Sequence, residues 1–413
     1  MLRLAVAIFV CGMFPWHALA QAAHGRSVLV AYVQNGDLWV RDGSEPAARL
    51  TRTGSIAFPR FSADGSEIAF LDRGELCVIS VAKPHLIRLG ARVDGNSFRW
   101  SPAGNVLAVW DRSGLSLYDE SNSWARDRII KTDPARSVVL DAAFGPDGER
   151  LVVARRRLTS DRPMDLGTIE TVEWRRPSPA SRILSQPGNG FALYGWLRDD
   201  TILFWSDPSF SSSFAADGLE LDAISAGQRK ARSLGHVRTL VYRDLLSLAP
   251  DGKSLLATLT TSGGRETWED RPLAVIDLAN GARRIVSPLR VSTLFPAWSP
   301  GGDYIAYVQA PVGTENKRRM KERKIWVMRR DGSERQQVTR DQAYRDEHPV
   351  WVSGDTILFC RIGAAYRASL WSISKSGANL TRIAGLPTLP DEAFGFYGYV
   401  DWGRYLDVWA DGP

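Results

Sequence analysis

Cysteine and histidine are scarce in this chain. Among 413 residues there are three cysteines, at positions 11, 77 and 360, and five histidines. Three distant thiols exclude a disulfide framework, and so few histidines leave little from which to build a metal centre. Several chemical signatures are missing as well. There is no Gly-x-Ser-x-Gly elbow, no Cys-x-x-Cys pair, no His-Glu-x-x-His helix and no glycine-rich phosphate loop. Their absence removes the α/β serine hydrolases, the common zinc and redox sites and the nucleotide-binding folds from consideration. Beyond the first twenty residues no apolar run approaches the roughly 18 residues of a spanning helix, so no transmembrane segment is expected after the leader.

Charge of one sign is not strongly in excess. The formal net charge is +6 with a pI near 9.3. A surplus of that size does not call for nucleic acid, and it suits contact with anionic envelope surfaces or acidic proteins.

The N-terminus has its own pattern. Arg3 supplies a short basic region, residues 4–14 an apolar stretch, and Ala18-Leu19-Ala20 a small-x-small cleavage motif. Residues 1–20 therefore read as a signal peptide cut after Ala20, and the mature chain is expected in the periplasm or outside the cell. Cys11 is not read as a lipidation site, because Ile8-Phe9-Val10 offers no small neighbour. Cys77 and Cys360 then remain, each within an apolar run, as buried free thiols.

What the chain has in abundance is a repeat. Its best copy runs Phe295-Pro-Ala-Trp298-Ser-Pro-Gly-Gly302, then Tyr304-Ile-Ala-Tyr307, Ile325-Trp326-Val-Met328 and Asp331-Gly-Ser333. The pieces read as an apolar inner strand, a tight turn, an alternating strand, an aromatic strand, a second turn and a short outer strand. Further copies follow at about 40–52 residues, the spacing of a four-stranded blade. The apolar anchor of the inner strand recurs as Phe61, Trp100, Phe144, Trp196, Leu248, Trp298, Trp351 and Trp402. Near the N-terminus three strands, at 28–33, 37–41 and 48–51, have no inner strand before them, and residues 399–403 are expected to supply it. The fold class is thus an all-β propeller of four-stranded blades over residues 21–413, a single domain of eight blades closed by its two ends. Seven blades are the alternative, because Tyr405-Leu-Asp-Val-Trp409 competes with residues 28–33 for one place.

The Pro-x-Trp-Ser-Pro turn followed by Ile-Ala-Tyr, with Ile-Trp-Val-Met and Asp-Gly-Ser further on, resembles the repeat of the TolB-like, WD-type propellers over roughly residues 28–409. That resemblance implies the fold. The small α/β domain that precedes the TolB propeller has no counterpart here, so the Tol-Pal role is not carried over.

Two regions are candidates for function. The connections between the second and third strands are long at residues 157–167, 206–218, 260–270 and 310–324, and they gather on one face of the ring. There Phe210 and Phe214 lie in a serine-rich loop, and Lys317, Arg318, Arg319, Lys321, Arg323 and Lys324 form a basic tract. The other region is the central channel, where Asp141, Arg243, Asp244, Asp346, Glu347 and His348 lie just before or along inner strands. His348 is the one histidine placed to test for a metal. The reading that follows is a noncatalytic, monomeric binding scaffold of the cell envelope. It holds a protein or glycan partner, meets no nucleic acid and needs no cofactor. The alternative is a metal-dependent glycan lyase or hydrolase working in the channel around Glu347 and His348.

Overall fold

The computed structural model describes residues 28–93, 95, 97–158, 165–175, 179–208, 210, 218–260, 270–312 and 322–410. These residues form eight antiparallel sheets of four strands each. We number the blades I to VIII around the ring, with blade I built from both chain ends, and letter the strands a to d from the axis outward. Strands a of blades II to VIII are Ile56–Phe61, Phe98–Trp100, Ser137–Phe144, Asn189–Trp196, Leu246–Leu248, Val291–Trp298 and Arg345–Trp351. Each ends on the anchor residue that the repeat marks.

The anchor position fixes one blade on the next. The indole of Trp100 donates to the Arg60 carbonyl at 2.9 Å, Trp298 to that of Ser247 at 3.1 Å and Trp351 to that of Ala297 at 3.1 Å. In each case the acceptor is the residue just before the anchor of the preceding blade. The ring faces pack between sheets, buried at Trp298 and Trp351 and partly buried at Trp100, while the one polar atom finds a carbonyl. The turns after strand a have an equally local cause. Asp64 Oδ1 accepts from Ser66 N at 3.0 Å and from the Ser62 hydroxyl at 2.6 Å, and Gly65 takes φ +73°, which a side chain would resist. A Cβ at Gly65 would also press into the Trp409 ring at 2.7 Å, across the joint with blade I.

Blade I closes the ring, but with a different segment from the one expected. Its outer strands are Val28–Gln34, Asp37–Asp42 and Ala48–Arg49, and its strand a is Leu406–Ala410, which pairs Trp409 with Leu29. Trp402 is therefore not an anchor. It opens a short 3-10 turn, Trp402–Arg404, and is fully buried. The aromatic spacing around Trp402 arises from packing inside the ring, and Trp409 supplies the eighth anchor. Leu406–Ala410 and Val28–Gln34 do not compete for one place, as the seven-blade alternative required: they pair with each other as strands a and b of blade I, and the ring has eight blades.

Three inner strands share a bulge. Phe58, Phe295 and His348 each precede a proline and adopt positive φ, of 56°, 49° and 54°. At each of them the pairing with strand b shifts register. Bulky residues rarely accept this conformation, so the three positions mark a device repeated in blades II, VII and VIII.

Most of the long connections on which the loop-face reading relied lie outside the described residues, and so does the leader at 1–20. No helix among the described residues is long and apolar enough to cross a membrane.

Candidate functional site

The connection from blade VIII to strand a of blade I turns into the ring instead of passing over it. Residues 389–405 carry three short 3-10 turns, Asp391–Ala393, Phe396–Gly398 and Trp402–Arg404. Val400 and Trp402 are fully buried. This plug is held by arginines. Arg323 donates to Glu347 Oε1 at 2.5 Å and also to the carbonyls of Tyr397 and Gly398. Arg345 reaches Glu347 Oε1 at 2.6 Å and the Gly398 carbonyl, while the Trp402 indole donates to Glu347 Oε2 at 3.2 Å. Arg60 of blade II donates to the Gly403 carbonyl at 2.6 Å. Burial works against the charge on Glu347, yet Arg345 and Arg323 outweigh it and hold the carboxyl below its usual range.

Glu347 is thus committed to the plug. Asp346 is committed as well, since Arg361 grips both its oxygens at 2.6 and 3.0 Å with both side chains buried. These two residues tie strands together at the rim of blade VIII and do not line the channel cavity. Arg323 and Lys324, expected in the basic tract of the binding loop face, are buried instead. Lys324 begins strand c of blade VII and donates to the Tyr344 carbonyl. Phe210 lies under the Arg156 guanidinium, 4.5 Å from the ring centre. Phe214, Lys317, Arg318, Arg319 and Lys321 lie outside the described residues.

The other four channel residues do converge. Asp141, Arg243, Asp244 and His348 line one cavity of about 790 Å3 on the axis, bounded by residues of blades I to VI and VIII and by the plug. Asp141 is its best-connected anion. It accepts from Arg243 Nη2 at 2.6 Å, from the backbone N of Leu193 at 3.0 Å and of Ala142 at 2.9 Å, and from Arg99 Nη2 at a longer 3.3 Å. Arg243 also donates to the Leu193 carbonyl at 2.9 and 2.7 Å, so it is positioned as rigidly as its partner.

Asp244 differs from Asp141. Its two oxygens meet a single hydroxyl, that of Tyr399 from the plug, at 2.9 Å each. Burial pushes this carboxyl up to about 8, the negative charge of Asp401 adds to the rise, and the Tyr399 hydrogen bond only partly offsets it. At neutral pH Asp244 is mostly protonated. Tyr399 in turn stacks on Tyr242 at 3.8 Å and on Phe295 at 5.6 Å, which makes an aromatic wall beside the acid.

His348 is a poor metal ligand here. Burial lowers its pKa to about 4, so the ring is neutral, and it stands edge-on to Phe295 at 5.8 Å in the bulge position that Phe58 fills in blade II. Among the described residues no group of three or more His, Cys, Asp or Glu side chains is arranged to hold a metal ion.

No protein-family model matches the chain, and no curated protein sequence does either. Solved structures do match. One titled oligogalacturonate lyase in complex with manganese overlays 87% of this chain and 95% of its own, with 15% identity and a TM-score of 0.52. Dipeptidyl peptidase 4 of Porphyromonas gingivalis overlays 86% of this chain but 57% of its own, with 9% identity and a TM-score of 0.57. What is shared is the propeller. A structure titled putative TolB from Agrobacterium tumefaciens also matches, over 87% of this chain at 13% identity, but its TM-score of 0.36 is too low to carry an argument. A fold that hosts a lyase and a peptidase alike leaves function to the site.

Several cavity residues escaped the sequence reading: Arg60, Arg99, Tyr242, Tyr399, Asp401 and Asp407. A signal for two of them was present. The residue before the anchor is Ala143, Gly195, Ser247, Ala297, Val350 and Val408 in six blades, but Arg60 and Arg99 in the adjacent blades II and III. Aligning the repeats for their exceptions, and not only for their common residues, exposes that pair. The alternation around Tyr399 and Asp401 reads as a strand, which conceals their place on the plug.

Proposed function

We propose that the protein is an exported, noncatalytic binding scaffold of the cell envelope that holds a small polar, glycan-like ligand in its channel. The observation that carries this reading is the axial cavity of about 790 Å3, in which charged side chains are held in place beside a tyrosine wall. A cavity of that volume lies within the range of ligand sites, and an aromatic surface with a few oriented polar groups suits a polyhydroxylated molecule. Export rests on the leader at 1–20, and the location is periplasmic or extracellular.

The test combines fractionation with ligand capture. The chain expressed with its own leader should leave the cytoplasm and lose residues 1–20, and cytoplasmic retention of the uncut form would sink the export half. The purified chain, dialysed against a small-molecule envelope extract and analysed by mass spectrometry, should retain a ligand that the D244A and Y399F variants lose. Equal retention by those variants removes the channel from the reading.

A second reading, catalysis in the same channel, is favoured by the carboxyl of Asp244. A protonated acid in a cavity is suited to donate a proton to a leaving oxygen. The residues present do not fit a metal, because Glu347 is taken by two arginines and His348 packs on Phe295. An acid role for Asp244 requires glycan-cleaving activity that falls as pH rises through about 8 and disappears in D244N.

A further inference from the structure

The outermost strands of the ring carry charge of one sign. Eleven arginines and Lys131 lie on the eight outer strands, against a single acid, Asp127. In the whole chain the balance is 52 to 46, so the excess is concentrated at the rim. Only blade VII has no cation on its outer strand, and there the exposed Arg335 and Arg340 flank Gln336–Gln337. Eleven of the twelve outer cations are exposed. Strands c, one step further in, hold nine acids, but seven of these are buried or half-buried. They reach only Arg49, Arg88 and Arg182. Among the described residues the other nine outer cations have no carboxylate within 4.0 Å.

The belt runs on from blade to blade. Arg283 on the outer strand of blade VI reaches the His236 carbonyl of blade V at 3.5 Å, while Arg284 donates to the carbonyls of Asp331 and Arg330 in blade VII at 2.6 and 3.1 Å. A charged residue on a free sheet edge keeps that edge from pairing with another chain, but either sign serves that purpose. Twelve cations to one acid is a one-sided choice. Like charges set side by side along a rim repel one another, and a partner of opposite charge relieves the repulsion.

Shape selects the partner. A bilayer or a folded acidic protein meets a convex rim along one arc, whereas a flexible linear chain follows it over several blades. The rim also lacks the apolar side chains that a membrane contact inserts. Of five exposed large apolar residues among the described ones, only Ile285 lies on an outer strand.

We propose that the outer rim is a docking belt for an acidic polysaccharide, whose carboxylate or sulfate groups pair with guanidiniums of successive blades. The planar fork of each guanidinium matches either group with paired N–H donors. The choice of a glycan over a nucleic acid rests on the export reading, and the belt itself is independent of the channel.

The test uses the full chain with heparin, and with neutral dextran as control. The wild type should bind heparin and not dextran, and the affinity should fall about tenfold or more as sodium chloride rises from about 50 to about 200 mM. R92Q/R126Q/R128Q/K131Q, on blades II and III, should weaken heparin binding about tenfold or more. R112Q/R136Q/R198Q/K253Q removes the same number of charges from exposed positions off the outer strands, and should weaken it less than about threefold. D244A should bind heparin as the wild type does. If the rim variant does not fold, R232Q/R283Q/R284Q on blades V and VI gives the same comparison, with R112Q/R136Q/R198Q as its match. The proposal is overturned if the wild type does not bind heparin or if the charge-matched variants weaken it equally. It is also overturned if phosphatidylglycerol vesicles, or single-stranded DNA of equal charge, bind the wild type more tightly than heparin does. Cytoplasmic retention of the chain with rim-dependent heparin binding intact would reject the export reading alone.

Discussion

Asp244 shows what burial does to a single carboxyl in this ring. Its folded pKa of about 8 lies above the unfolded value near 4, so the folded state binds the extra proton. This contribution to stability is complete below pH 4 and is lost as pH rises toward 8. Thermal melts should therefore show the wild type falling relative to D244N between pH 4 and 8, because the amide imitates the protonated acid. Parallel curves would refute the assignment. Glu347 has the opposite character, a charge that two buried arginines depend on. E347Q leaves those guanidiniums short of a counter-charge and should cost about 3–5 kcal/mol in denaturant unfolding. The two acids look equivalent in the sequence. Each precedes or begins an inner strand, but Arg345 and Arg323 make Glu347 an ion-pair hub, while Asp244 is buried with the Tyr399 hydroxyl of the plug as its partner.

At the scale of the element, the inner strand was largely legible and the plug was not. Seven anchors, from Phe61 to Trp351, are strand ends as the repeat marks them, because a local turn motif follows each and fixes the boundary. The eighth was misplaced because Val400 and Trp402 alternate like a strand while being buried for another reason, against the channel wall. Burial spacing alone cannot separate the two when no turn motif follows. The bulge before proline gives a sharper test. His348 occupies a position that is phenylalanine in blades II and VII, so H348F should stay within about 1.5 kcal/mol of the wild type at pH 7, provided the site accepts the slightly larger ring as the other two bulges do. It should also remove the loss of stability that the neutral histidine imposes as pH falls from 6.5 toward 4. A loss well beyond that margin, read from chemical denaturation, would mean that His348 makes a contact the phenylalanines do not.

For the whole molecule, the joint in blade I decides integrity. Strand Val28–Gln34 has strand c on one side and Leu406–Ala410 on the other. A chain ending at residue 405 should expose that edge, lose cooperative melting and elute as aggregates in gel filtration. The two thiols report on the same event. Cys77 in blade II and Cys360 in blade VIII flank the joint, and burial raises both pKa values. A thiol reagent should label neither in the native ring and both once the joint opens, and labelling of native protein would show that the flanking blades breathe. Blade number and all-β class follow from the repeat. Closure geometry and channel chemistry do not, since they depend on contacts between residues more than three hundred apart, such as Arg60 with Gly403.

The joint also sets a timetable. A ribosome delivers a chain from its N-terminus, so the strands at 28–49 emerge early and must wait for Leu406–Ala410 before their sheet has a fourth. During that interval seven other blades can form by local pairing, while one hydrogen-bonding edge stays open. Closure comes last and spans the greatest sequence separation in the molecule, the kind of step that slows folding and lengthens exposure to aggregation. For a ring built this way, the rate at which the closing strand is delivered matters as much as the stability of the ring it completes.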